Sequence, residues 1–419
     1  MKKRYHILLL ATSMTILLAC SERERNNPLD PQNPQTKGRL AGLKAVAKEK
    51  TVSLSWDAVS LGGIDHVNIY RKTASDSEFV LFYEIPPTTH SYIDSVTYGL
   101  VYQYRISAAI DGYETPFSPA VTVEPGPTYT WVADFSAGVF ARLSHDLQTH
   151  LFDYLTVNLP IFIVADPGQR AAWGYTRYAN ELLKIDETGS ELVLLRYFPI
   201  IDDMDADTLF HKLWLVQSDS GKILRLDKDG NQELEANILQ SPAAIAVNSL
   251  THDIWVADEE TGRLYRFSYN GTMINESSVS FNGAVDIAID ANTSSVWVAD
   301  GEKVVQMDYS NQAIKQITGF YNAVNVRVDH RRDAVWVADL EPSGEPASLI
   351  KLGGDGQVLF ELSIFGNIRD IAVNEYDGSC LVADSGSGYS GLYKVYSDGQ
   401  KTTRVAGVFV PYGVAVEHH

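Results

Sequence analysis

Trp255-Val256-Ala257-Asp258 is one of seven related segments spaced along this chain. Close copies begin at Trp131, Trp297 and Trp336, and weaker ones at Trp173, Trp214 and Leu381. Successive starts are 42, 41, 41, 42, 39 and 45 residues apart. A short apolar strand repeated at such intervals cannot bury both faces within its own copy, so the copies must pack side by side. A period near 42 predicts a β-propeller with one four-stranded blade per copy.

The other strands of the repeat follow from the same alignment. An inner strand such as Ala244-Ile245-Ala246-Val247-Asn248 precedes the Trp segment, and Leu264-Tyr265-Arg266-Phe267 follows it. A hairpin at Asn270-Gly271 comes next, and Asp229-Gly230, Asp355-Gly356 and Asp398-Gly399 occupy that turn in other copies. These dipeptides suit turns that need positive φ. The first repeat opens on its second strand, Thr130 to Asp134, and the missing inner strand reappears as Pro411 to Val416. Pairing these two segments predicts a closed ring of seven blades over residues 127–417, with no free sheet edge.

Two rings of polar residues emerge from the repeat. The second strands end in Asp134, Asp258, Asp300, Asp339 and Asp384, with Thr176 and Gln217 in the weaker copies. Carboxylates at strand ends either accept hydrogen bonds from their own loop amides or present negative charge to a cation or basic partner. Counting back 11 residues from each start reaches Phe162, Asp203, Ala244, Asp286, Asn325, Asp370 and Gly413. Asp203, Asp286, Asn325 and Asp370 carry the oxygen ligands that calcium or another hard divalent cation prefers, and they fall near the expected central channel. A basic column, Arg142, Lys184, Arg225, Arg266, Lys351 and Lys394, runs through the third strands and predicts packing between blades. Loops Leu340 to Ser348 and Ser385 to Gly391 are the long ones on the second-strand face. Unequal loops on a regular scaffold commonly carry recognition, which makes Tyr389 and Tyr412 the first contact candidates.

No catalytic signature accompanies these rings. There is no Gly-x-Ser-x-Gly elbow, His145, His252 and His330 fall at outer strands or turns, and two cysteines, Cys20 and Cys380, offer no zinc pair. Cys380 takes the place of Ile254, Val296 and Val335, a buried apolar position. The formal charge of −19 repels phosphate backbones and excludes nucleic acid as a natural partner.

The N-terminus reads as an export signal, residues 1–19. Lys2, Lys3 and Arg4 precede an apolar run from Ile7 to Ala19 that is too short to span a bilayer. Leu17-Leu18-Ala19-Cys20 resembles the lipobox of bacterial lipoproteins, which implies cleavage before Cys20 and a lipid on its thiol. Ser21 lacks the aspartate linked in that family to inner-membrane retention, which favours the outer membrane. Pro28, Pro31 and Pro34 mark residues 20–38 as a semi-extended tether. Residues 39–125 alternate apolar and polar in short runs, as in an all-β sandwich. They resemble a fibronectin type III domain, with Trp56 at the family's core tryptophan and Tyr102 at its tyrosine corner. The later repeats resemble NHL and streptogramin-lyase-like propellers, where an apolar strand ends in Asp before a Gly-containing loop.

These readings predict an all-β, lipid-anchored cell-envelope protein. Its membrane contact is the N-terminal lipid, and its propeller loop face recognises a protein, peptide or glycan. Two alternatives stay open: a divalent-metal-dependent lyase or lactonase of the kind found among related propellers, using the inner ring, and a purely structural envelope component.

Overall fold

The computed structural model describes Asn27 and residues 29–59, 63–156, 159–342 and 344–419. The export signal and Cys20 lie outside the described residues. The chain divides into two compact units between Pro125 and Gly126.

In the first unit, Lys44–Ala47, Thr51–Ser55 and Ser91–Ser95 form one antiparallel sheet. Val80–Ile85, His66–Thr73, Tyr102–Ile110 and Tyr113–Glu114 form a second, with Val121–Val123 also paired to Tyr102–Ile110. Alternation places Val52, Leu54, Trp56, Ile69, Tyr104 and Ile106 in one shared core. The Tyr102 hydroxyl donates to the Thr97 carbonyl and accepts from the Thr97 amide, both at 3.2 Å. One expectation needs correction here. The tether extends only part of the way to residue 38, because Leu29 packs against this core and Leu40 is buried in it. Asn33 holds the intervening turns together, with its side-chain oxygen accepting from the amides of Gln35 and Thr36. Proline-rich sequence blocked helix and sheet as expected, but a capped turn needs neither.

The second unit carries the repeats. In each, an inner strand, the Trp strand, the basic strand and an outer strand pair antiparallel in that order. The seven copies fall into six hydrogen-bonded sheets, five of four strands and one of six. The six-stranded sheet holds both Trp297 and Trp336. There the strands Ser295–Asp308 and Ala313–Asp329 run on without a break, and Gly301 pairs with Ala323 across them. This is where the repeat spacing is shortest, 39 residues. Too little chain remains for separate loops, so adjacent copies are knitted into one sheet.

Pro411–His418 lies beside Thr128–Asp134, with Val414 opposite Val132. The array is therefore closed by its own two ends. Glu417, fully buried, fastens the join: its carboxylate accepts from the Trp131 indole at 2.7 Å and from Arg142 Nε at 3.0 Å.

The Trp position is buried in all six copies that have it. Withdrawing one such side chain from water is worth about 5 kcal/mol before ordering entropy, taking roughly 200 Å² per ring. The basic column lies over these rings. Arg266 sits 4.9 Å from the Trp255 centroid, and its guanidinium donates to the Tyr309 carbonyl of the next repeat at 2.6 Å. Arg225 reaches Tyr269 O and Lys351 reaches Ser397 O in the same way. Each cation thus satisfies a carbonyl on the neighbouring repeat while covering an indole.

Candidate functional site

The strand-end aspartates are structural latches. Asp134, Asp258, Asp300, Asp339 and Asp384 are all buried, none more than 2% exposed. Asp258 accepts from the amides of Gln240 and Ser241, Asp300 from Asn282 and Gly283, Asp339 from Tyr321 and Asn322, and Asp384 from Gly366 and Asn367. In every case the donors lie 18 and 17 residues upstream, in the segment that leads into the inner strand, which for Asp339 is part of the continuous strand Ala313–Asp329. Asp134 does the same through the ring closure, accepting from Phe409 and Val410. Of the two readings of these carboxylates, the structure takes the one in which they accept from loop amides, whose burial would otherwise leave them unpaired.

The inner ring does gather at the channel. Asp203, Asp286 and Asp370 open the inner strands Asp203–Asp207, Asp286–Asp290 and Ile368–Asn374, or sit close to their start. Each reaches sideways to the amide of the next inner strand. Asp203 accepts from Ile245 at 2.8 Å, Asp286 from Val326 at 2.9 Å, and Asp370 from Val414 at 3.0 Å. Asp205, two residues on and hence on the same face, accepts from Val247 at 2.8 Å.

Between these carboxylates lies Arg327, which the ring count did not select. Its guanidinium donates to Asp286 and, at 3.0 Å, to Asp370, while Asn325 donates to Asp286 at 3.5 Å. The cation in the middle of the proposed metal set is thus the protein's own. Among the described residues, no group of three His, Cys, Asp or Glu side chains is arranged to hold a metal ion. Asp203, Asp286 and Asp370 each have amide or guanidinium partners instead, and Asn325 donates to Asp286 while its own side-chain oxygen is buried without a hydrogen-bond partner. Burial pushes Asp370 up to about 6, against the pull of Arg327, and burial also takes Asp205 to about 6. Asp203 is raised well above the usual range, by burial first and then by Asp286.

The residue just before the ring position matters more at the mouth. In five inner strands the ladder slips there, between Pro160 and Phe162, Pro242 and Ala244, Ala323 and Asn325, Ile368 and Asp370, and Pro411 and Gly413. Each bulge leaves one residue unpaired and turns its side chain out of the ladder. The bulged residues Ala243, Val324, Arg369 and Tyr412 line the channel mouth together with Asp202 and Val285. Ile161, Arg369 and Tyr412 also line an adjoining pocket of about 390 Å³, whose other walls are Phe135, Leu159, Phe162, Arg177 and Tyr178.

That pocket is an aromatic cleft with two cations. Phe135 stacks on Tyr412 with centroids 4.4 Å apart, and Arg369 lies 4.7 Å over the Tyr412 ring. Arg369 is braced by Ser385, which accepts from Nε at 2.8 Å, so the long loop Ser385 to Gly391 supports the pocket from one side. Tyr178 stands 82% exposed at the rim. Of the two predicted contacts, Tyr412 is a wall of this pocket. Tyr389 does not line it; its carbonyl accepts from the Tyr393 hydroxyl, and its ring lies against Gly366. Phe135, Arg177 and Arg369 were missed. Shifting the repeat count by one residue would have found Arg369 with Tyr412, since Arg369 sits 12 positions before Leu381 and Tyr412 takes the same register beside Trp131 through the ring closure.

The chain matches no known family model, and no curated protein matches it in sequence. Solved structures resemble it in fold. A functionally unknown protein from Desulfotomaculum acetoxidans DSM 771 superposes with a TM-score of 0.59 at 12% identity, over 69% of this chain and 99% of that one. A protein from Bacteroides uniformis ATCC 8492, provisionally described as a 6-phosphogluconolactonase, gives 0.56 at 12% identity, over 69% and 99%. The second unit thus has a β-propeller fold. Identity this low speaks to architecture and not to chemistry.

Proposed function

We propose that this protein is a lipid-anchored component of the bacterial cell envelope whose propeller binds a protein, peptide or glycan on its second-strand face. The observation that carries the reading is the pocket built by Phe135, Phe162, Tyr178 and Tyr412 at the channel mouth. Concave apolar sites with a few polar groups are where ligands bind, and aromatic side chains dominate recognition surfaces. The lipobox-like Leu17-Leu18-Ala19-Cys20 supports the anchor, and the mild preference for the outer membrane rests on Ser21. A metal-dependent lyase or lactonase is not favoured, because Arg327 and strand amides engage the carboxylates such a centre would need.

Site-specific photocrosslinking in the native envelope tests the reading. A benzophenone amino acid at position 178 is expected to give discrete adducts, while the same group at Leu250, exposed on a turn between an inner strand and a Trp strand, is not. Equal labelling at both positions, or none at 178, refutes the site. Membrane release by Cys20→Ala checks the anchor separately.

A further inference from the structure

The pocket's charge suggests a narrower ligand class, an inference that rests on the binding reading above. Acidic residues outnumber basic ones in this chain, 53 to 34. Arg71, Arg142, Arg225, Arg266, Arg327 and Arg332 all sit within 3.4 Å of a carboxylate oxygen. The two arginines of the pocket do not, and neither do Arg39, Arg105, Arg263, Arg331 and Arg404; what sets the pocket pair apart is that both line one cleft. Arg177 and Arg369 have no ion-pair partner among the described residues, and the side-chain contacts of Arg369 are the neutral hydroxyls of Ser385 and Tyr412. Two carboxylate-free guanidinium groups at one cleft of so acidic a protein form a local anion site. Of the pocket's other walls, Tyr178 and Tyr412 carry hydroxyls, while Phe135, Leu159, Ile161 and Phe162 offer no side-chain hydrogen-bonding group.

We infer that the pocket takes an acidic peptide, in which a large apolar side chain fills the cleft and a carboxylate within about two residues of it pairs with Arg177 and Arg369. The volume is near the lower end of the usual 300–1,000 Å³ range for ligand sites. It admits one or two side chains. The glycan reading loses ground to the peptide one because Phe135, Leu159, Ile161 and Phe162 make half of the lining apolar, which suits a large apolar side chain better than a run of hydroxyls. Arg369 is held over Tyr412 by stacking and by Ser385, so it is preorganised and little side-chain freedom is lost on binding.

Phage-displayed random heptapeptides panned on the full mature protein, in parallel with a glycan array, decide the matter. Enriched peptides are expected to combine Asp or Glu with Phe, Leu, Ile or Trp within two positions. A synthetic peptide of the enriched sequence should bind at least tenfold more weakly to Arg177→Ala and to Arg369→Ala, and should be lost in the Arg177→Glu/Arg369→Glu double variant. Both arginines are solvent-exposed, and Arg→Lys versions that keep charge and part of the affinity confirm that the fold survives. Peptides without acids, or acidic peptides indifferent to the double variant, overturn the inference. Peptides lost on trimming 385–391 yet indifferent to the arginines would move the site within the same face and also overturn it. Glycan binding abolished by the double variant would overturn the peptide class while leaving the face as the binding site. No binding from either library would sink both readings.

Discussion

Arg327→Met removes the cation from the channel and keeps most of the stem's apolar bulk. Asp286 and Asp370, with side chains 10% and 18% exposed, then lose their countercharge. Breaking a dry ion pair by deleting one partner costs about 3–5 kcal/mol. Here a third of the Arg327 side chain meets channel water, so about 2–3 kcal/mol at pH 8 is the reasoned cost, screened as partly wet charges are. For a domain of this size that is a fall of about 5 °C in melting temperature. The pH dependence is the sharper signature. In the native protein Asp370 titrates near 6, above the ordinary 3.8, because of burial. Between these values the folded state holds more protons than the unfolded chain, so this contribution to stability is complete below pH 4 and is lost as pH rises to 6. Removing Arg327 takes away the charge that restrains that shift and carries the loss above pH 6. The gap between wild type and variant should therefore be wide at pH 8 and clearly narrower at pH 4.5, where Asp370 is largely protonated. Thermal melts followed by fluorescence of the buried tryptophans would measure it. A gap of the same size at both pH values, or a variant more stable at pH 8, would refute the coupling of Arg327 to the carboxylates.

Two other perturbations follow from the packing. Asp134→Ala strands the amides of Ser136, Ala137, Phe409 and Val410; at about 1.5–3 kcal/mol for each hydrogen bond to a charged group, and less than additively, a loss of about 3 kcal/mol in denaturant melts is expected, and a loss under about 1 kcal/mol would remove its role as a latch. Cys380 is buried and its thiol is pushed far up by burial, so in a Cys20→Ser protein a thiol reagent should react only on unfolding, and reaction at the rate of a free thiol under native conditions would contradict the packing.

How much of this was legible beforehand depends on whether a feature repeats. The β-propeller and its closure through Val414 and Val132 followed from periodicity, because each copy reports the same strand order. The basic column was read as packing for the same reason, and Arg225, Arg266 and Lys351 do bridge to the next repeat. The aspartates at the strand ends were visible with two possible duties, and the choice between them was not. A carboxylate facing water and one receiving two buried amides 18 and 17 residues upstream look alike in sequence. The docking of Leu29 and Asn33 was hidden because proline-rich composition signals the absence of regular structure and not the absence of packing.

The channel mouth escaped the count for a more instructive reason. A period-2 rule assigns inner-strand residues alternately to the channel and to the blade interface, and it assumes an unbroken ladder. Five inner strands break that assumption at one place, and the extra residue there is turned out of the pairing. A bulge repeated at the same register in five repeats keeps the scaffold intact while taking one side chain out of the ladder pairing in each. Those positions differ in chemistry from repeat to repeat: Ile161, Ala243, Val324, Arg369 and Tyr412. The next position is tied down in another way, since Asp203, Asp286 and Asp370 are bonded to the neighbouring strand. Variation in specificity on this fold is therefore best sought at the bulged residue and in the loops that brace it, with the carboxylates one residue deeper serving to hold the ring in register.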